Sequence, residues 1–316
     1  MKKIIILLCL GLVISCKSSL ENQINKTEIS QSEVKEHVAF LTSDALKGRN
    51  TGTPGIETAA KYIENVFKKN EIKPYFETYR DTFNVKDIVG YNIVGFIEGS
   101  DPKLKNEFVI IGAHYDHIGY AKTVDNDSIA NGANDDASGT SAVLALAKYF
   151  SKTKSNKRSL IIALFSGEEL GLKGSEHLAT RLKAQNIDLY TMLNFEMIGV
   201  PFKDRDYEAF VSGYDLSNMA EVMNAQIGSN YLGRSDVAVK YNLFKRSDNF
   251  AFYEQFKSPC QTISSCDLSN YDYYHHVDDE ADKLDYNHMA NLVNKMIPAI
   301  EHICNSATKE IKMNNE

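Results

Sequence analysis

Tryptophan is absent from the 316-residue chain, no CxxC pair occurs, and acidic residues (42) outnumber basic ones (35). The missing CxxC argues against a zinc site built from cysteines. A formal net charge of −7 and an isoelectric point near 5.7 give no reason to expect nucleic acid as a partner. No internal repeat and no break in composition divides the chain, so its length suits a single large α/β domain. Apolar content of 43% and charged content of 24% are those of an ordinary folded protein, with Tyr and Phe supplying the aromatic mass.

Long apolar runs are also scarce. Ile4 to Ile14 follows the basic Met1-Lys2-Lys3 and is too short to span a bilayer as a mature helix, so it reads as a targeting signal. Val13-Ile14-Ser15-Cys16 resembles a bacterial lipobox with Cys16 as the lipidated residue. The expected plan is a signal over residues 1–16, a polar tether over 17–33, one folded domain over 34–305 and a frayed tail over 306–316. That plan places the protein in a bacterial cell envelope, held to the membrane by lipid. Cys260, Cys266 and Cys304 remain in the mature chain, and the first two are close enough in sequence for a small disulfide loop.

Tyr91 to Ile97 alternates like a strand with one wet face and predicts an antiparallel pair, whereas Phe108-Val109-Ile110-Ile111 predicts a strand covered on both faces. Similar buried strands are expected at Leu160 to Phe165 and Thr191 to Phe195, with shorter ones at Glu208 to Ser212 and Gln261 to Ile263. Helical spacing marks Val34 to Leu41, Glu57 to Asn70, Ser138 to Phe150, Ser175 to Leu182, Leu216 to Gln226 and Asn287 to Cys304. Asn126 to Asn134 reads as a loop. The alternation predicts a mostly parallel sheet covered on both faces, with its site beyond the strands' carboxyl ends.

Five segments carry the chemistry. They are Gly112-Ala113-His114-Tyr115-Asp116, Gly132-Ala133-Asn134-Asp135-Asp136, Ser166-Gly167-Glu168-Glu169, Asn194-Phe195-Glu196-Met197 and Tyr274-His275-His276-Val277-Asp278-Asp279. Four of them follow predicted strands. Carboxylates mixed with neutral imidazoles suit zinc-like ions, and there are enough for two. Asp116 stands where it can orient His114, Asp135 can bridge two ions, and Asp136 reads as a helix cap. Adjacent Glu168 and Glu169 leave a strand in different directions, so one can ligate while the other acts as a general base. His275 or His276 can complete the second ion's shell. The pattern implies a metallohydrolase.

In this order the motifs resemble those of the co-catalytic di-zinc aminopeptidases of the bacterial leucyl aminopeptidase and aminopeptidase Y type. The wider superfamily includes glutamate carboxypeptidase and glutaminyl cyclase. The resemblance runs from about Val34 to about Cys304, and Leu41 to Thr53 is similar to the family's N-terminal helix and Gly-Arg loop. It implies a three-layer α/β/α sandwich with a mixed, mostly parallel sheet, and two Zn²⁺ per chain. His114, Asp135 and Glu196 would hold one ion; Asp135, Glu169 and His275 would hold the other. Glu196 stands where the family motif carries Asp, and His275 lies four residues before Asp279, as the family's last histidine does. Asp116 would orient His114, and Glu168 would activate a water between the ions against peptide substrates. Tyr271, Tyr273 or Tyr274 could add an oxyanion hydrogen bond. His117 and His177 match no ligand position and read as structural, and Asp248 reads as a cap or support. The alternatives are a single-zinc glutaminyl-cyclase-like acyltransferase and a non-catalytic binding module on the same fold.

Overall fold

A computed structural model describes residues 28–314. Residues 1–16, including the expected lipidation site Cys16, and most of the expected tether lie outside the described residues. The elements run α1 (Gln31–Leu41), α2 (Pro54–Lys69), β1 (Lys73–Pro74), β2 (Arg80–Val85), β3 (Ile88–Ile97) and β4 (Glu107–His114). After β5 (Gly119–Val124) and β6 (Asp127–Ala130) come α3 (Gly139–Thr153), β7 (Ser159–Phe165), α4 (Lys173–Ala184) and β8 (Asp188–Phe195). The chain closes through β9 (Ala209–Val211), α5 (Met219–Ile227), β10 (Leu232–Gly233), α6 (Asp236–Lys240), α7 (Asn249–Phe256), β11 (Cys260–Ser264) and α8 (Tyr286–Asn305).

Among the described residues, nine strands form one mixed sheet in the order β1-β3-β7-β4-β8-β11-β9-β10, with β2 paired to β3. Its centre, β7-β4-β8-β11, is parallel, and the pairings on either side turn antiparallel at β3 and β9. The continuous apolar runs explain this centre, because every residue of β7 is buried and only a doubly covered strand tolerates that. Alternate residues serve opposite layers. Val109, Ile111, Leu160, Ile162 and Leu193 join α1, α2, α3 and α8 in one core, while Ile110, Ile161, Ala163 and Met192 meet Leu178, Leu182 and Phe252 of α4 and α7 in the other. The result is an α/β/α sandwich.

Four sequence expectations change. Order begins before residue 34: Ser30 accepts from the Glu33 amide and caps α1, and Ile29 is buried with both backbone groups bonded to the Asn294 side chain. The tail does not fray as far as residue 314, because Ile311 packs into the core and its amide donates to Tyr190 Oη. The loop expected over 126–134 contains β6, paired with β5 in a hairpin. Cys260 and Cys266 are free and buried, as is Cys304; Cys260 opens β11 in one apolar cluster with Met192, whereas Cys266 lies past the strand's end in another with Tyr271. Burial pushes the Cys266 and Cys304 thiols up to about 12, so they are poor nucleophiles.

Arg49 is the fold's tie to the site. It is fully buried, and its guanidinium donates to the carbonyls of Leu41, Tyr115, Asn131 and Gly132 at 2.5–3.0 Å. An unbonded buried charge would cost several kcal/mol, on the order of the whole domain's stability. Here the donors are spent fixing the ends of α1, β4 and β6 together. Burial lowers its pKa to about 10, against the pull of Asp279, Asp116, Asp135 and Asp136, so it stays cationic at neutral pH.

Candidate metal centre

Parallel strands point their carboxyl ends to one edge, and the motif residues leave there. β4 ends on His114, β7 on Phe165 just before Glu168 and Glu169, and β8 on Phe195 just before Glu196. Asp135 comes from the turn between β6 and α3, and its peptide bond to Asp136 is cis. Asp279 holds that turn by accepting the Asn134 and Asp135 amides at 2.7 and 3.1 Å, while Tyr271 donates to it at 2.6 Å. Asp136 accepts from the amides of Gly139 and Met197 at 3.0 and 2.9 Å, so it caps α3 and ties the Glu196 segment to the same turn. Gly139 permits this: a Cβ there would stand 2.3 Å from the Phe195 carbonyl and 2.5 Å from the Asp136 carboxylate.

The side chains converge. His114 Nε2 lies 3.1 Å from Asp135 Oδ1, and His275 Nε2 lies 3.3 Å from Asp135 Oδ2 and 3.1 Å from Glu169 Oε2. His117 Nδ1 lies 3.0 Å from Glu169 Oε1. Despite these separations, His114 Nε2, His117 Nδ1, His275 Nε2, Glu169 Oε1 and Glu196 Oε2 are buried without a hydrogen-bond partner among the described residues. Atoms this close that do not face one another as donor and acceptor can instead face a common point. Four ligand atoms about 2.0–2.1 Å from a tetrahedral zinc are ~3.3 Å apart, close to what is seen. The donor set, imidazole nitrogen with carboxylate oxygen, also fits zinc.

Charge demands the same. Burial works against ionising Asp135, but His114 and His275 outweigh it and hold the carboxyl well below its usual range. Burial likewise opposes charging His275, and Asp135 and Glu169 overcome it to push the imidazole up to about 10. Glu196 and Asp248 are pushed up to about 7 by burial, and Glu168 well above the usual range by burial and its acidic neighbours, with His114 opposing. Protons on imidazoles and carboxyls here supply positive charge that divalent ions can replace.

Of the residues read from the sequence, His114, Asp135, Glu169 and His275 stand together, and Glu196 reaches the same charge network. His276 pairs instead with Asp278. Asp116 orients His114 through its backbone carbonyl, 3.1 Å from Nδ1, whereas its carboxylate is 3.7 Å away. That carboxylate accepts from Thr51 Oγ1 and the Glu168 amide, so it positions the Glu168 turn. His177 is bonded into an outlying pair with Asp81. His117 differs from expectation: it is fully buried and forms a possible metal group with Asp135 and Glu169. Its signal was the spacing His-Tyr-Asp-His past a buried strand. Among the tyrosines, Tyr271 is committed to Asp279, whereas Tyr274 stacks on His275 at 4.0 Å and lines a cleft with Glu196, Arg246, Met197 and Phe210. Asp248 precedes α7 without capping it, both oxygens lacking a partner among the described residues.

The family profile described as Peptidase family M28 matches residues 92–300, about two thirds of the chain. The chain belongs to peptidase family M28. A protein named probable zinc metalloprotease from Leptosphaeria maculans is 31% identical over 194 residues, covering 56% of this chain and 43% of that protein. Another of that description, from Pyrenophora teres f. teres, is 29% identical over 185 residues, 55% of this chain and 37% of the relative. The chain thus aligns with less than half the length of these relatives. Among solved structures, Legionella pneumophila LapA aminopeptidase superposes with a TM-score of 0.69 at 22% identity, covering 91% of this chain and 76% of that one. Porphyromonas gingivalis glutaminyl cyclase superposes with 0.67 at 14% identity, covering 86% and 98%. At these identities the likeness shows a shared zinc exopeptidase-like fold.

Proposed function

We propose that this M28 member is a two-zinc exopeptidase, most simply an aminopeptidase. The observation that carries the reading is the set of buried imidazole and carboxylate atoms, about 3 Å apart, that lack hydrogen-bond partners. One ion would be held by His114, Asp135 and Glu196, the other by Asp135, Glu169 and His275. When bound, such ions polarise a carbonyl and make water a better nucleophile. Glu168 is partly exposed, with its amide fixed on Asp116. In this role it takes the proton of the attacking water and passes one to the departing amine. Tyr274, in the cleft wall, offers its hydroxyl toward the carbonyl oxygen. The cleft lining of Met197, Phe210, Leu243 and Leu268 suits an apolar substrate side chain.

The test is a panel of free and N-blocked peptides, plus N-terminal glutamine peptides followed by ammonia release. Cleavage of free N-termini is expected, and Glu168→Gln should keep the metal while losing ~10²–10⁴-fold in rate. Ammonia release without peptide cleavage would support the single-zinc cyclase reading instead. Full activity in Glu168→Gln would remove the proposed base. The tether at Cys16, and with it a place in the cell envelope, belongs to the same proposal and rests on residues 1–16 alone. Lipid labelling that survives Cys16→Ser would refute it.

A further inference from the structure

His117 does not behave as a histidine used for packing. A fully buried imidazole normally satisfies its nitrogens, since an unpaired buried polar group costs about 1–3 kcal/mol. Both nitrogens of His117 lack a hydrogen-bond partner among the described residues, and its exposure is 0%. The ring is seated against Gly132, whose φ of +58° is free of strain only for glycine and where a Cβ would stand 2.5 Å from His117 Cγ. The His275 ring lies edge-on at 5.6 Å, with planes 74° apart. This seat aims Nδ1 at the carboxylates, 3.0 Å from Glu169 Oε1 and 3.8 Å from Asp135 Oδ2. His117, Asp135 and Glu169 each offer one ligand atom, all within 4.8 Å of one another.

We infer that His117 is a ligand, through Nδ1, of the ion shared by Asp135, Glu169 and His275. The inference rests on the two-metal reading above and deepens it. The two sites then differ in kind. The ion on His117, His275, Asp135 and Glu169 has four protein groups, the closed shell of a tightly held metal. The ion on His114, Asp135 and Glu196 has three and keeps a position open to water and substrate. Metal should therefore load in two steps of unequal affinity.

The experiment uses the full chain, stripped by a chelator and titrated with Co²⁺, read by its visible absorption and by competition with a chromophoric chelator. The wild type should bind two equivalents, the tighter one with the intense absorption of a four-coordinate site. His117→Gln and His117→Asn should weaken the tighter equivalent by more than the ~10–100-fold that loss of an outer hydrogen-bonding partner costs, and should change its absorption. Retention of the wild-type spectrum, with affinity within that range, would show that His117 only supports Glu169 and would overturn the inference. If neither variant folds, as judged by circular dichroism, the wild type itself decides. With labelled histidine nitrogens and NMR-active cadmium, metal coupling is expected at three imidazoles, and coupling at only His114 and His275 would refute the ligand role. A wild type that binds no metal would instead refute the two-metal reading, which keeps the two failures distinct.

Discussion

At the scale of single residues, the site depends on side chains that fix backbone as much as on those that face an ion. Asp136 is the clearest case, holding the Gly139 and Met197 amides in one carboxylate. Gly139→Ala would force a methyl into the Phe195 carbonyl and that carboxylate, so it should cost about 1–3 kcal/mol and weaken metal binding through Glu196. Thermal melting and chelator competition measure both, and unchanged values would show the turn is slack. Of the proposed ligands, His114 and Glu169 were legible from sequence because each leaves the end of an apolar strand, and Asp135 and His275 through the order and spacing of their short motifs. His117 was not, since its spacing after His114 suits a packed histidine as well as a ligand, and its unpartnered nitrogens are what separate the two. The role of Asp116 was legible in position but not in atom, because sequence does not say whether carbonyl or carboxylate meets the imidazole.

At the scale of elements, apolar runs revealed β4, β7 and β8 because burial on both faces leaves no polar alternation. β2 and the β5–β6 hairpin escaped notice because they are short or polar and lie at the margins. Helix α1 carries a testable electrostatic feature. His37 is packed against Tyr62, its Nδ1 at 2.8 Å from the hydroxyl, and burial, with Lys148 and Lys69 adding, lowers its pKa to about 4. The folded state thus binds fewer protons than the unfolded state between about pH 6.5 and about pH 4, so stability is lost as pH falls through that window. From about pH 7 to about pH 5 the loss from this group should be ~2 kcal/mol. Denaturant unfolding of wild type and His37→Gln should show a shallower acid decline in the variant; equal declines would mean that His37 is not held neutral.

At the scale of the whole molecule, the parallel centre is what makes the site possible, because four strand ends open on one edge and bring residues far apart in sequence together. Peptidase family M28 membership and the sandwich fold agree with that arrangement. The antiparallel flanks were less legible, since pairing direction at an edge depends on which strand lies alongside, which no local pattern encodes. No helix among the described residues is long and apolar enough to cross a membrane. The central proposal is that Asp135, Glu169 and Glu196 with His114, His117 and His275 form one site for two ions at this edge, with Asp135 between them. Metal content of the purified full chain tests it most directly. Two zinc ions per chain are predicted, with both affinities falling sharply in Asp135→Asn; a chain that holds no zinc, or whose zinc content is indifferent to Asp135→Asn, would contradict the account.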